Sequence, residues 1–241
     1  LNRPDKRNPL SIQMLSALQN TLDDIADDKT VKVVILAAKG PVFCAGHDLK
    51  EMRANTNYNF IHELFLQCSR MMLTMTQLPQ PIIAKVHGVA TAAGCQLVAS
   101  CDLAIAAESA RFGTPGVTNG LFCSTPAVAV SRAVSSKHAM EMLLLGELFS
   151  PEDALRFGLI NRIVPVQKLD STVLEYAESI ASRSTLTMSM GKGAFYRQLD
   201  MELEEAYTYT SDVMARNMME RDAQEGIDAF LQKRHPKWTG R

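Results

Sequence analysis

The run PQPIIAKVHGVATAAGCQLVASCDLAIAAESARFGT, from Pro79 to Thr114, decides the fold. Ile82 to Val86 reads as an apolar strand and Leu103 to Ala107 as a second, since short apolar runs between turn residues suit strands buried on both faces. Between them lie a turn of small residues, Gly88 to Gly94, and a short apolar helix. Nothing in Ala92-Ala93-Gly94 projects beyond a methyl group, so another molecule can approach the backbone closely there. The turn also opens a helix, where N–H groups lack partners and the positive end of the dipole lies. Such a place suits a negatively charged oxygen.

The same arrangement occurs upstream. Val31 to Ala38 (VKVVILAA) reads as a buried strand. Gly40 to Leu49 (GPVFCAGHDL) reads as a further strand, a small-residue turn and a helix start. Strand, free amides and helix thus follow one another twice, which implies an α/β core. Ser11 is placed to cap a helix carrying Ile12, Leu15, Leu18, Leu22 and Ile25 at helical spacing. A second helix is expected over 56–78, its Met71, Met72 and Met75 packing in the core. Phe112 to Thr125 reads as a loop, and helices are expected over Ala127–Ala133 and Ala139–Leu145. Ser150-Pro151-Glu152-Asp153 starts a helix that stops at Gly158, before a strand from Ile160 to Val164.

Beyond about residue 167 the pattern is helical: Leu169–Ala181, 186–198, Glu202–Met219 and Ala223–Arg234. The apolar stripes of these helices need a cover, and another subunit would supply one. The chain therefore divides into a core at 1–165 and a helical region at 166–241 that serves oligomerisation. Leu1-Asn2-Arg3-Pro4 reads as the end of a strand whose beginning lies upstream.

Composition narrows the partners. A net charge of −1 and the lack of a basic run argue against nucleic acid, which leaves a small molecule. No apolar run reaches the roughly 18–20 residues that cross a bilayer, so no membrane insertion is expected. Five cysteines without a Cys-x-x-Cys pair weaken zinc and dithiol readings, and no metal site is expected. They read as reduced core thiols.

LNRPDKRNPLS (Leu1–Ser11), VVILAAKGPVFCAGHDLKEM (Val33–Met52), PIIAKVHGVATAAG (Pro81–Gly94) and CDLAIAAESARFGTPG (Cys101–Gly116) resemble the crotonase, or enoyl-CoA hydratase/isomerase, superfamily. SPEDALRFGLINRIV and EGIDAFLQKR extend the resemblance over nearly the whole chain. HDLKEM, ATAAGCQLVASCD and TPGVTNGLFCSTP resemble a mitochondrial-type subgroup and its bacterial relatives. The resemblance implies a ClpP-like spiral of β-β-α turns with helical C-terminal trimerisation elements, assembled as a homotrimer or a dimer of trimers. It also implies an acyl-CoA thioester ligand, with CoA present as part of the substrate and no permanently bound cofactor. Two backbone amides, matching His47 and Ala93, would bind the thioester oxygen. CoA would lie against Ala45, Asp48 and Leu49, with Lys6 and Arg7 towards its phosphates or pantetheine arm. Phe230 and Lys233 match residues that reach CoA, often from a neighbouring subunit. The location implied is cytoplasmic in a bacterium and mitochondrial in a eukaryote, with no targeting segment in view.

The sequence departs from this pattern where hydratases carry two glutamates, one to position water and one to supply the α-proton. Those positions match Gln96 and Gly116, neither of which takes a proton. Acid–base groups contribute about 10²–10⁴-fold each, so ordinary hydration should be crippled. Two classes of function follow: an enzyme that stabilises an enolate by other means, or a non-catalytic acyl-CoA-binding or regulatory protein. The His47 ring is either an acid–base group or a bystander to its own backbone N–H, and the second reading is favoured. Cys123, Asn119 and Ser124 read as pocket wall, and His87, Asp102 and Trp238 as structural. Gly191-Lys192-Gly193 lacks the spacing of a phosphate-binding loop.

Overall fold

The computed structural model describes residues 1–241. Seven short strands, β1 (Val34–Leu36), β2 (Val42–Cys44), β3 (Ile82–Val86), β4 (Val89–Thr91), β5 (Leu103–Ala107), β6 (Arg111–Gly113) and β7 (Arg162–Val164), alternate between two parallel sheets. The odd-numbered strands form a four-stranded sheet in chain order, and the even-numbered ones a three-stranded sheet. Each turn of the spiral lays one strand in each sheet and then returns through helix. The spiral of β-β-α turns is therefore observed. Leu1 lies beside the residues that follow β1: its N–H donates to Ala37 O at 2.6 Å and its carbonyl accepts from Lys39 N at 3.0 Å.

The returns are α1 (Ile12–Asp27) before the first strand, α2 (Leu49–Ala54) and α3 (Tyr58–Gln77) after β2, and α4 (Ala93–Ala99) after β4. α5 (Ser124–Ala133), α6 (Ser136–Leu145) and α7 (Pro151–Phe157) follow β6. Local chemistry sets their ends. Ser11 Oγ accepts from Met14 N at 3.2 Å, and Asn57 Oδ1 accepts from Asn59 N at 2.9 Å. Ser150 and Asp153 bond reciprocally at 3.1 and 3.0 Å, and α7 ends at Gly158 in the left-handed region, φ 95°.

Several sequence expectations are corrected here. The strand expected over Val31–Ala38 is only Val34–Leu36. The turn expected over Gly88–Gly94 contains β4, and the loop expected from Phe112 begins with the end of β6. Three-residue strands flanked by turns leave too few residues for a pattern, so only pairing in space reveals them. The helices around 127–133 and 139–145 each begin three residues earlier than expected. The final one spans Arg221–Leu231 rather than Ala223–Arg234.

The core lies between the sheets and the α1/α3 layer, with Phe43, Phe112, Leu64, Met71 and Met75 fully enclosed. The methionines of α3 are core residues, as the spacing predicts. α8 (Leu169–Ala181) covers the outer face of the larger sheet, seating Leu169 and Val173 on Ile83 and Ile105. α9 (Thr185–Gln198), α10 (Leu203–Met219) and α11 (Arg221–Leu231) complete the chain. They leave Phe195, Leu203, Tyr207, Met219 and Phe230 exposed. No helix is long and apolar enough to cross a membrane.

One junction fastens the helical region to the core. Asp102, just before β5, accepts from Ile82 N at 2.6 Å, from Lys192 Nζ at 2.8 Å and from Tyr196 OH at 2.9 Å. Lys192 also donates to the Met75 and Gln80 carbonyls, at 2.9 and 3.0 Å. Asp102 is structural, as expected. Lys192, in a segment read only as lacking a phosphate-loop spacing, is its partner.

Candidate active site

Two turns meet at the inner end of the smaller sheet. The first follows β2: Gly46 adopts φ 85°, and its carbonyl accepts from Leu10 N at 2.8 Å. The second follows β4: Ala92 adopts φ 51°, ψ −119°, a conformation that glycine takes readily and alanine rarely. Ala92 N donates to Gly113 O at 2.9 Å, and Ala92 O accepts from Gln96 N at 3.0 Å, which hold it there. Backbone so placed costs about 1–3 kcal/mol and persists only where its surroundings fix it.

Gly46 and the Ala92 turn are in direct contact. A Cβ on Gly46 would stand 2.9 Å from Ala92 Cβ and 3.3 Å from Ala93 N. Gly94 packs as closely on β2: a Cβ there would overlap the Cys44 carbonyl oxygen and stand 2.8 Å from the Cys44 carbonyl carbon. These two glycines set the distance between the turns. His47 N–H, next to Gly46, and Ala93 N–H, the first of α4, donate to no protein acceptor. Two amides without a protein acceptor thus lie on touching turns, the one at Ala93 at a helix start.

The other residues expected at the site sort by position. Ala45 N donates to Arg7 O at 3.1 Å, which lays the entry loop along the first turn. Lys6, Arg7, Ala45 and Leu49 are exposed along this edge. Asp48 caps α2, accepting from Lys50 N and Glu51 N at 3.1 and 3.3 Å. Phe230 is 83% exposed near the end of α11, and Lys233 follows it at φ 54°. No hydrogen bond ties α11 or the residues after it to the Ala45–Leu49 loop of the same chain.

Gln96 lies on α4, 4% exposed, and its carboxamide meets no protein partner. The His47 ring is edge-on to Phe65, centroids 5.2 Å apart, with Nδ1 at 3.3 Å from Leu10 O. A carbonyl only accepts, so Nδ1 carries the proton; Nε2 is buried without a partner. Burial holds this imidazole's pKa below the usual value.

Gly116 is not an empty place. A Cβ there would overlap the Leu121 carbonyl oxygen and stand 2.6 Å from Cys123 Sγ. Leu121 N donates to Gly116 O at 2.9 Å, closing the loop on the glycine. Cys123 is buried with a raised pKa, and Cys44, Cys68 and Cys95 are pushed up to about 12 by burial. All five cysteines are free, buried thiols. His87 Nε2 sits 2.6 Å from Gly40 O, a satisfied polar group. Trp238 Nε1 donates to Ser182 O at 2.7 Å, an anchor for the chain end.

The enoyl-CoA hydratase/isomerase family model matches residues 1–241. Enoyl-CoA hydratase domain-containing protein 3, mitochondrial, of Homo sapiens is 49% identical over 239 residues, 99% of this chain and 79% of that protein. The crystal structure of the human protein superposes with a TM-score of 0.95, covering 98% of this chain and 95% of that one. An enoyl-CoA hydratase from Mycobacterium smegmatis, also 49% identical, superposes with a TM-score of 0.96 over 98% of this chain and 92% of its own.

Proposed function

The chain belongs to the enoyl-CoA hydratase/isomerase family, and from that premise we propose that it binds an acyl-CoA thioester and stabilises an enolate at its carbonyl oxygen. The observation that carries this reading is the pair of unpaired amides, His47 N–H and Ala93 N–H, on turns in contact through Gly46. Negative charge that develops on the thioester oxygen as an α-proton leaves meets two fixed donors, each worth roughly 10²–10³-fold in rate. CoA runs along the exposed edge at Lys6, Arg7, Ala45, Asp48 and Leu49, and Phe230 and Lys233 reach it from a neighbouring subunit. The exposed apolar side chains of α9 to α11 fit burial in a homotrimer or a dimer of trimers. No resident cofactor enters this chemistry.

Gln96 and Gly116 stand where hydratases use glutamates, so the reaction need not be hydration of a short enoyl thioester. A second reading, a non-catalytic acyl-CoA-binding or regulatory protein, is favoured by the closed loop at Gly116, where any side chain would meet the Leu121 carbonyl and Cys123.

Crotonyl-CoA consumption and calorimetric binding of butyryl-CoA separate the readings. Binding with turnover is expected for the enzyme, and binding without turnover for the second reading. Absence of binding overturns the thioester assignment. Gly116→Glu is expected to give no gain in hydration and to cost about 1–3 kcal/mol in chemical denaturation, because its side chain must displace Leu121 and Cys123. A gain in hydration with unchanged stability would contradict the closed loop.

A further inference from the structure

Four buried side-chain polar atoms have no hydrogen-bond partner: Gln19 Oε1, His47 Nε2, Gln80 Oε1 and Gln96 Oε1. Gln19 and Gln80 each anchor their amide nitrogen elsewhere, to Thr74 and Asp23 and to the Ile25 carbonyl respectively. His47 belongs to the turn after β2, and Gln96 lies on α4, the helix that the second turn opens. A buried acceptor without a partner is costly, and such atoms are rare outside places where a ligand or a reacting group supplies the missing bond.

We infer that the His47 imidazole is the site's proton acceptor, taking the α-proton of the bound acyl group on Nε2 while its own backbone N–H holds the thioester oxygen. The inference rests on the thioester reading above. Leu10 O fixes the tautomer, so Nε2 presents a lone pair and not a proton. Phe65 fixes the ring plane from the side. The same residue carries both the backbone donor and the imidazole, so oxygen holder and proton acceptor belong to one turn. In the step, the α C–H bond breaks and the proton passes to Nε2, giving imidazolium. The electron pair moves onto the thioester oxygen between His47 N–H and Ala93 N–H. Return of the proton restores the thioester, so no other reactant is consumed.

The other polar and titratable groups of the entry loop, α2 and α3 are engaged in bonds, raised by burial or exposed. Asp48 caps α2, and Glu51 Oε2 accepts from Ile12 N at 3.0 Å. The thiols of Cys44, Cys68 and Cys95, raised to about 12, stay protonated near neutral pH. Arg3 donates to Ser11 Oγ at 3.0 Å, and His62 stacks on exposed Tyr58 at the surface. Lys6, Arg7 and Lys50 are exposed. Gln96 has a carboxamide, which orients a ligand and does not titrate. Burial depresses the imidazole pKa and no charged side chain acts on it, so the neutral form prevails at pH 7.

The test is exchange of the α-protons of butyryl-CoA in D2O, followed by NMR, alongside butyryl-CoA binding by calorimetry. Wild-type protein is expected to catalyse exchange with a rate that rises with pH and levels off below the ordinary imidazole range. His47→Gln keeps the backbone amide and is expected to lower exchange at least about 100-fold with the dissociation constant within about threefold. Exchange by His47→Gln within threefold of wild type overturns the inference. So does a wild-type rate that falls as pH rises, the reverse of what a neutral imidazole base requires, a result that needs no variant to fold. Wild-type binding without exchange overturns the inference and leaves the thioester reading standing, whereas failure to bind removes that reading itself.

Discussion

Gly94→Ala is expected to lower thioester turnover by about 100-fold or more, and to weaken butyryl-CoA binding, while the chain still folds. One added methyl does this because Gly94 lies against the Cys44 carbonyl, where a Cβ would overlap the oxygen and press to 2.8 Å from the carbon. That carbonyl is part of β2 and cannot swing aside as a flexible side chain would. α4 must therefore retreat from β2, and Ala93 N–H retreats with it while His47 N–H stays. Loss of one aligned donor accounts for 10²–10³ in rate. Overpacking at one backbone contact costs about 1–3 kcal/mol, well short of unfolding a domain of ordinary stability. Gly191→Ala is the control. It adds the same methyl inside α9, where nothing lies within 4 Å, and is expected to leave turnover unchanged and raise stability by up to about 1 kcal/mol. Turnover by Gly94→Ala within threefold of wild type would show that the spacing of the two turns is not what the chemistry depends on.

The parts of this site differ in how far the sequence reveals them. Ile82–Val86 and Leu103–Ala107 are found with the same ends in sequence and structure, because apolar five-residue runs between turn residues have few other uses. Ala93 and the turn before it were visible as small residues opening a helix. β4 and β6 were not, since three residues in a parallel pair show no alternation. Their one sequence trace is position, with two residues between β3 and β4 and three between β5 and β6.

The contact of Gly46 with Ala92 joins residues far apart in the chain, and nothing local announces it. Gly116 shows in the sequence only that no proton is taken there; that its lack of a side chain is required by Leu121 and Cys123 packed against it is a tertiary fact. The state of His47 Nε2 depends on a bond to Leu10 O that no pattern in the sequence encodes. Backbone chemistry was legible where it is local, and side-chain chemistry was hidden where it depends on tertiary neighbours.

Lys192→Met is the substitution expected to cost the most stability, about 3–5 kcal/mol by chemical denaturation. Lys192 is 7% and Asp102 17% exposed in their side chains, so the pair is held largely away from water. Removing the cation leaves a carboxylate with only Ile82 N–H and Tyr196 OH, and leaves the Met75 and Gln80 carbonyls without their donor. Breaking a buried pair from one side is costly because a charge remains uncompensated; removing both charges is much milder. Asp102→Asn combined with Lys192→Met supplies that comparison, since asparagine still offers an oxygen to Ile82 N–H or Tyr196 OH. The double variant is therefore expected to be more stable than Lys192→Met alone, although it carries one more substitution. The loss should also be uneven along the chain. Lys192 and Tyr196 both lie on α9, so amide exchange in Lys192→Met is expected to speed up in α9 and the helices packed on it before it does in β3 and β5. Equal costs for the single and double variants would mean that the carbonyl bonds to Lys192, and not its charge, hold the helical region on the core.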